Sequence, residues 1–472
     1  MPDFTTFGGR VLLLGFGTVG KPALALLFEM LGLPPERVTL LDQVESRHDL
    51  PPGADAVTCC TAQITPGNLA EVIGAFVGPG DLLLNLSVGV CSIALSDWCQ
   101  GNGVLYVDTA LEPWEEILSD PRVLAPEART EYALHEKARR QGDGWQPGGP
   151  TAVFTHGANP GLVSHFAKAA LLEVAEAMGL EAAVPASRGD WARLARATGT
   201  KVIHISERDT QVSSLPRQPG EFVNTWSIPG FVEEAMMPIE LGWGTHEKHL
   251  PDGARRHAEG PNNTIYLPRA AAGFLLRSWV PLGGRIAGIA LPHSESITIS
   301  QFLTLHEGGV PVYRPTVAFV YLPCDAALAS LHETLMRDWE IPQAQRIMND
   351  DITAGMDELG VLLLGHGLNG WWYGSQLDIA EARRLVPGSN PTAIQVAAGA
   401  VAAAAWAMAN PARGYCEPED LPHEQILRLA RPWLGSIASL PTDWTPLETN
   451  FGLFDEPWRD PDDPWQFANF LP

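Results

Sequence analysis

The chain has 472 residues, and its 31 Lys and Arg stand against 55 Asp and Glu, a formal charge of −24. That length allows two or three domains around a large core. The acidic balance excludes a nucleic-acid partner, which needs a basic face, and suits either a cationic ligand or plain solubility.

The opening MPDFTTFGGR lacks the basic-then-apolar pattern of a signal peptide. RVLLLGFG follows as a buried strand running into a Gly-rich turn, and PALALLFEMLG is apolar enough for a helix packed on a sheet. RVTLLD, AVTCCTA, DLLLNLSV and VLYVDTA are further short apolar runs, with NLAEVIGAFV and SIALSDWCQ as helices between them. Near-continuous apolar strands separated by helices imply a parallel sheet covered on both faces. TAVFTHGANPG then repeats strand and Gly-rich turn before the helix LVSHFAKAALLEVAEAMG.

From Lys201 the texture changes. KVIHISERDTQ, EFVNTWSI, TIYLPR, RIAGIALPHSESITISQF, PVYRPTVAFVYLP and GVLLLGHGLNGWWYGSQL read as β-runs, the last with a hairpin turn at Asn369-Gly370. After Pro391 comes a long Ala-rich helix and then a Pro- and Trp-rich tail. The apolar part of that helix, from Val396 to Ala409, reads as too short and too Ala-rich to span a bilayer. Six cysteines (Cys59, Cys60, Cys91, Cys99, Cys324, Cys416) have no CxxC spacing, as in a reducing compartment, and no metal site is expected. A cytoplasmic protein without membrane contact is the expectation.

The predicted fold is α/β: a Rossmann-type doubly wound parallel sheet over 1–155 and a second α+β domain with a large mixed or antiparallel sheet over 156–388. A C-terminal helical segment, 389–472, is expected to pack back on the first domain.

One stretch, EFVNTWSIPGFVEEAMMPIE from Glu221 to Glu240, holds the carboxylates Glu221, Glu233, Glu234 and Glu240 and the aromatics Phe222, Trp226 and Phe231, but no Lys or Arg. Acids without local bases raise the question of which positive charge they meet.

Gly15-Phe16-Gly17-Thr18-Val19-Gly20 is a G-x-G-x-x-G turn between a strand and a helix, with Asp42 ending the next strand about 20 residues on. Gly15 allows the tight turn, Gly17 a close approach of pyrophosphate to the backbone, and Gly20 close helix–strand packing. The free N–H groups at the helix start, from Thr18 and Val19 onward, favour phosphate. Asp42 would accept hydrogen bonds from ribose hydroxyls and repel a 2′-phosphate, so the cofactor expected is NAD rather than NADP.

GFGTVG, NLSV, DTALEPW, GANPG, HISERDTQ, FVNTWS, ELGWGT, HSESI, VYRPT, DELGVLLLGHG and WYGSQL occur in this order over nearly the whole chain. Together they resemble the bacterial homospermidine synthases, an offshoot of the saccharopine dehydrogenase fold. The resemblance implies bound NAD, a homodimer formed through the second domain, and condensation of two putrescines to sym-homospermidine with loss of ammonia. Spermidine is implied as an alternative aminobutyl donor that releases 1,3-diaminopropane. The acids of the Glu221–Glu240 stretch would then meet substrate ammonium groups.

Position by position, the resemblance implies that Trp226 offers its π-face to a cationic amine or iminium. Glu207 would hold the inner amine, and Asn159 would orient the reacting nitrogen. Glu112, Glu234 and Asp357 would add carboxylates along the tunnel, and His293 with Glu295 would relay a proton. Each has a plainer reading: Trp226 as core, His293 as a turn cap, Glu112 or Glu207 as an ion-pair partner, Glu233 and Glu234 as a solvated helix face, Asn159 as an N-cap. The pattern departs at one place, where Gly89 stands for the family's Asp. A net dehydrogenase or Schiff-base reductase of the saccharopine or carboxyspermidine kind is the alternative, but its carboxylate substrates call for Arg or Lys rather than these acids.

Overall fold

The structure is a computed structural model that describes residues 7–114, 124–180, 184–448 and 458–472. Apolar tetrapeptides buried on both faces, such as Val11–Leu14, Leu82–Asn85 and Leu105–Asp108, build the centre of its first sheet. Among the described residues this sheet has seven strands, all parallel. The order is Tyr415–Cys416, Ala152–Val153, Leu105–Asp108, Leu82–Asn85, Val11–Leu14, Val38–Asp42, Thr58–Thr61. The strand order reverses between Val11–Leu14 and Leu82–Asn85, and ligands of such sheets bind at the carboxyl ends beside that reversal.

The second sheet is mixed and nine-stranded. Its main path runs Thr264–Ala270, Pro238–Gly242, Thr316–Leu322, Val202–Asp209, Met356–His366, Asn369–Asp378, Ser436–Thr442, with Leu275–Val280 and Gly284–Leu291 as a hairpin beside Thr316–Leu322. Its central pair, Val202–Asp209 with Thr316–Leu322, is parallel and places Tyr321 opposite Glu207. On its other edge Val202–Asp209 runs antiparallel to Met356–His366, with Asp209 opposite Asp357 and Glu207 opposite Leu359. Side chains alternate between faces along a strand, so Glu207, Asp209 and Asp357 share one face.

The helix Pro391–Ala409 is buried nearly all round and packs on the helix Gly20–Leu31, on strands of the first sheet and on Met356–His366. At 19 residues it is long and apolar enough to cross a membrane by composition, contrary to the shorter run read from sequence, and 89% of its most apolar window lies inside the protein. The chain beyond it divides between the two sheets. Tyr415–Cys416 extends the first, whereas Ser436–Thr442 forms an edge of the second. Within the tail, 449–457 lie outside the described residues.

Two β-runs read from sequence are not strands throughout. The segment after Leu291 is a helix, Ser294–Phe302, despite its β-branched residues, because nearly every side chain in it is buried and packing overrides propensity. The strand Glu221–Asn224 stops before Trp226, which sits in the turn ahead of the helix Ile228–Met236. That helix begins there because Ser227 caps it by accepting from the Gly230 N–H and a Pro occupies its first turn.

Candidate active site

The Gly-rich turn is built as its spacing requires. Gly15 has φ +90°, and a β-carbon there would lie 2.7 Å from the Leu86 carbonyl oxygen. Gly17 has no protein atom within 4 Å of where a β-carbon would be, so the fold itself gives no reason for glycine there. A group lying against the backbone would. No side chain caps the helix Gly20–Leu31 at its start, where Thr18 and Val19 lead in, which leaves N–H groups for an anion. Asp42 accepts from the Phe16 N–H (2.6 Å) and the Val44 N–H (3.0 Å), so part of its hydrogen-bonding capacity holds the turn itself.

A cavity of about 180 Å³ opens beside this turn, between the carboxyl ends of the first sheet and one face of the second. Val19, Asn85 and Glu112 line it from the first side, and Glu207, Phe319 and Tyr321 from the second. Asn159, Trp226, Glu234, His293 and Thr392 complete its walls. Six of the eight residues assigned to substrate or catalysis from sequence therefore meet at one cavity. The other two stand directly behind it, Glu295 under His293 and Asp357 beside Thr392.

Glu207 is 3% exposed, and its Oε2 accepts from Asn159 Nδ2 at 2.6 Å. Burial, followed by the neighbouring charge of Asp357, pushes its carboxyl well above the usual range. Asn159 is not an N-cap, since that position before Leu162–Ala177 is Gly161. Nor does Arg208, adjacent in sequence, pair with Glu207 among the described residues.

His293 occupies the N-cap position of Ser294–Phe302 but makes no capping bond. Its Nδ1 lies 2.7 Å from Glu295 Oε2, and its Nε2 3.5 Å from Glu234 Oε1. Burial disfavours the imidazolium, but Glu295 and Glu234 outweigh it and hold the ring's pKa well above the ordinary value.

Glu112 accepts from the Gly89 N–H at 3.0 Å, so Gly89 contributes a backbone donor to this carboxylate. Burial, opposed by that bond and helped by Glu234, raises the Glu112 carboxyl to about 7. Behind it, burial and then Glu112 raise Glu233 to about 9, and burial raises Glu131 to about 8. Of the adjacent pair, Glu234 lines the cavity and Glu233 does not.

The Glu221–Glu240 stretch separates into two kinds of acid. Glu221 is paired with Arg346 at 2.8 Å. Glu240, fully buried, accepts from the Tyr132 N–H and lies 3.3 Å from His257. The idea that all these acids await a ligand is thus corrected: remote residues answer these two, and only Glu234 among the four reaches the cavity. Among the described residues no Lys or Arg is ion-paired with Glu112, Glu207, Glu234 or Asp357. Such a cavity suits a positively charged ligand, and its high-pKa carboxyls can take up a proton near neutral pH.

Tyr321, Phe319, Thr392 and Asp209 were not singled out from sequence. Asp209 was legible in principle, being two residues from Glu207 on a strand and so on the same face. Tyr321 and Phe319 lay hidden in an apolar run. Tyr321 accepts a hydrogen bond from Trp226 Nε1 at 3.3 Å.

Two family models match, the saccharopine dehydrogenase NADP binding domain over residues 11–153 and the saccharopine dehydrogenase C-terminal domain over 157–439. Over its whole length the chain is 42% identical to a homospermidine synthase of Blastochloris viridis and 38% identical to one of Mesorhizobium japonicum, covering 98% of each. The chain belongs to the homospermidine synthase family. A solved homospermidine synthase of Legionella pneumophila, in complex with NAD, has a TM-score of 0.91 and 42% identity to it, covering 98% of this chain and 97% of that one. Family membership bears out the Rossmann-type sheet with a second mixed sheet, and makes the chain a transferase by kind.

Proposed function

We propose that this protein condenses two putrescines to sym-homospermidine, with spermidine as an alternative aminobutyl donor, and uses NAD without net consumption. The observation that carries this reading is the cavity beside the Gly-rich turn, lined by the buried Glu207 and the half-buried Glu112 and Glu234, none of them with a Lys or Arg partner among the described residues. NAD, when bound, would take a hydride from the carbon bearing the amine and later return it to the new Schiff base. The turn residues Gly15, Gly17, Thr18, Val19 and Gly20 would hold its pyrophosphate. The matched family model is that of an NADP binding domain, but Asp42, ending the strand after the Gly-rich turn and its helix, would repel a 2′-phosphate, which supports NAD.

In this reading Glu207 holds the inner ammonium and accepts the proton that must leave before the amine is oxidised. Asn159 fixes that carboxylate and the reacting nitrogen. Glu112 and Glu234 meet the distal ammonium, while Asp357 backs Glu207. His293, kept charged by Glu295, supplies or retrieves a proton at the outer end. Trp226 faces the cationic carbon–nitrogen unit. Enclosure keeps water from the imine, which would otherwise hydrolyse to an aldehyde. A homodimer and a cytoplasmic location belong to the same proposal.

The test is incubation with putrescine and substoichiometric NAD, with products resolved by mass. Many turnovers to homospermidine per NAD are expected. Stoichiometric NADH with aldehyde would instead make the protein a net dehydrogenase.

A further inference from the structure

We propose that Asp209 is a positioning residue that acts through Gln211 and Thr392 to aim Asp357 at Glu207, so that the last two carboxyls share one proton at the inner end of the cavity. The inference rests on the reading of Glu207 as the inner amine site.

Asp209 is 3% exposed, yet its oxygens accept three hydrogen bonds. Oδ1 takes the Gln211 backbone N–H (2.8 Å) and Nε2 (3.1 Å), and Oδ2 takes the Thr225 hydroxyl (2.8 Å). An ionised carboxylate only accepts, so it fixes which end of the Gln211 amide turns towards it. The second proton of that amide then goes to Thr392 Oγ1, 3.1 Å away. With its oxygen occupied as an acceptor, the Thr392 hydroxyl has one proton to place, and it donates to Asp357 Oδ2 at 2.5 Å. Each bond sets the direction of the next.

Asp357, 1% exposed, is left with Oδ1 lacking any donor, and Glu207 is its diagonal neighbour on the adjoining strand, on the same face of the sheet. Two buried carboxyls placed side by side on one face keep one proton between them, because both cannot be charged. The charged and titratable groups facing the pair are Asp209 on the Val202–Asp209 strand, His293 near Glu207, and Tyr321 from the third strand, with Glu358 next to Asp357 but on the opposite face of the sheet. The helix Pro391–Ala409 presents Thr392 and no ionisable side chain.

Two near-isosteric changes should move this proton in opposite directions. Asp209→Asn can keep both Gln211 bonds on its oxygen, with the Thr225 bond reversed so that the amide donates to the hydroxyl, while removing a negative charge, which lowers the pair's proton affinity. Thr392→Val keeps shape but removes the donor that stabilises the Asp357 anion, which raises it. The acid limb of kcat/KM for putrescine should therefore move about one unit lower in Asp209→Asn and higher in Thr392→Val. Infrared titration of the buried protonated carboxyl, read without substrate, should move in the same two directions. Unmoved titrations, or shifts of one sign in both variants, would overturn the proposal. If Asp209→Asn does not fold, the sign of the Thr392→Val shift decides. A wild-type protein that makes no homospermidine but shows these infrared shifts would refute the enzymatic reading and leave the shared proton standing.

Discussion

Glu417 and Glu207 are buried to nearly the same depth, 2% and 3% exposed, in different surroundings. Glu417 receives Arg139 Nε at 2.6 Å, Arg188 Nη2 at 3.3 Å and the Tyr415 hydroxyl at 3.1 Å. It ties the helices Glu131–Asp143 and Arg188–Thr198 to the strand Tyr415–Cys416. Burial alone would raise its pKa, but Arg139 and then His135 overcome that and hold the carboxyl far below the usual range. Glu207 has one amide donor and further carboxylates for company, and its pKa moves the opposite way. Burial by itself therefore does not distinguish a site from a structural centre. The missing counter-charge does, since an uncompensated buried acid costs stability that a fold retains only where something binds.

The largest effect expected from breaking this contrast is on the unpaired side. Glu207→Gln keeps shape and the Asn159 contact but removes the proton acceptor. Activity should fall by roughly a hundredfold or more. Thermal stability should hold or rise, because a group that resists ionisation in the folded state is replaced by a neutral one. A melting temperature that falls together with activity would make Glu207 a structural residue like Glu417.

The paired side should respond in reverse. Glu417→Gln leaves the half-buried Arg139 with only Glu136, at 3.0 Å, as a carboxylate partner and should cost about 2 kcal/mol of stability, with turnover per folded molecule little changed. The pH dependence follows from the depressed pKa of Glu417. Its contribution is present above the unfolded value, 4.5, and is lost as pH falls through the lower folded value. Wild type and variant should thus differ most near neutrality and converge in acid, as measured by denaturant unfolding across pH. A gap that widens on acidification would contradict the ion-pair account.

The same contrast explains what could be read from sequence. The first sheet and its Gly-rich turn were legible because their signals are local: Leu runs in Val11–Leu14 and Leu82–Asn85, and glycines at fixed spacing. The acids of the Glu221–Glu240 stretch were visible too, but not their partners, since Arg346 and His257 reach Glu221 and Glu240 through register and loop packing. Asp357 meets Glu207 only because two distant strands pair in one register. Ser294–Phe302 escaped because its β-branched side chains favour a strand until burial on every side selects a helix. Family resemblance brought Glu207, Asp357 and His293 onto one list. Periodicity alone would not have done so.

The smallest effect separates charge from shape at Trp226, which lines the unpaired cavity beside Phe231 and Tyr321. In Trp226→Phe an aromatic face remains but attracts a cation less strongly, and the indole N–H to the Tyr321 hydroxyl is lost. Activity should fall about tenfold, or roughly 1.4 kcal/mol, with Trp226→Ala lower still. Tyr321→Phe isolates the other contribution, since it removes the hydrogen bond and leaves the indole in place. If cation binding accounts for the loss, Tyr321→Phe should retain most activity while Trp226→Phe does not. Equal losses in the two would assign the effect to the hydrogen bond. Full activity in a folded Trp226→Ala would show that the carboxylates alone hold the substrate's charge. The ring's π-face would then add nothing to a cavity that is already acidic enough.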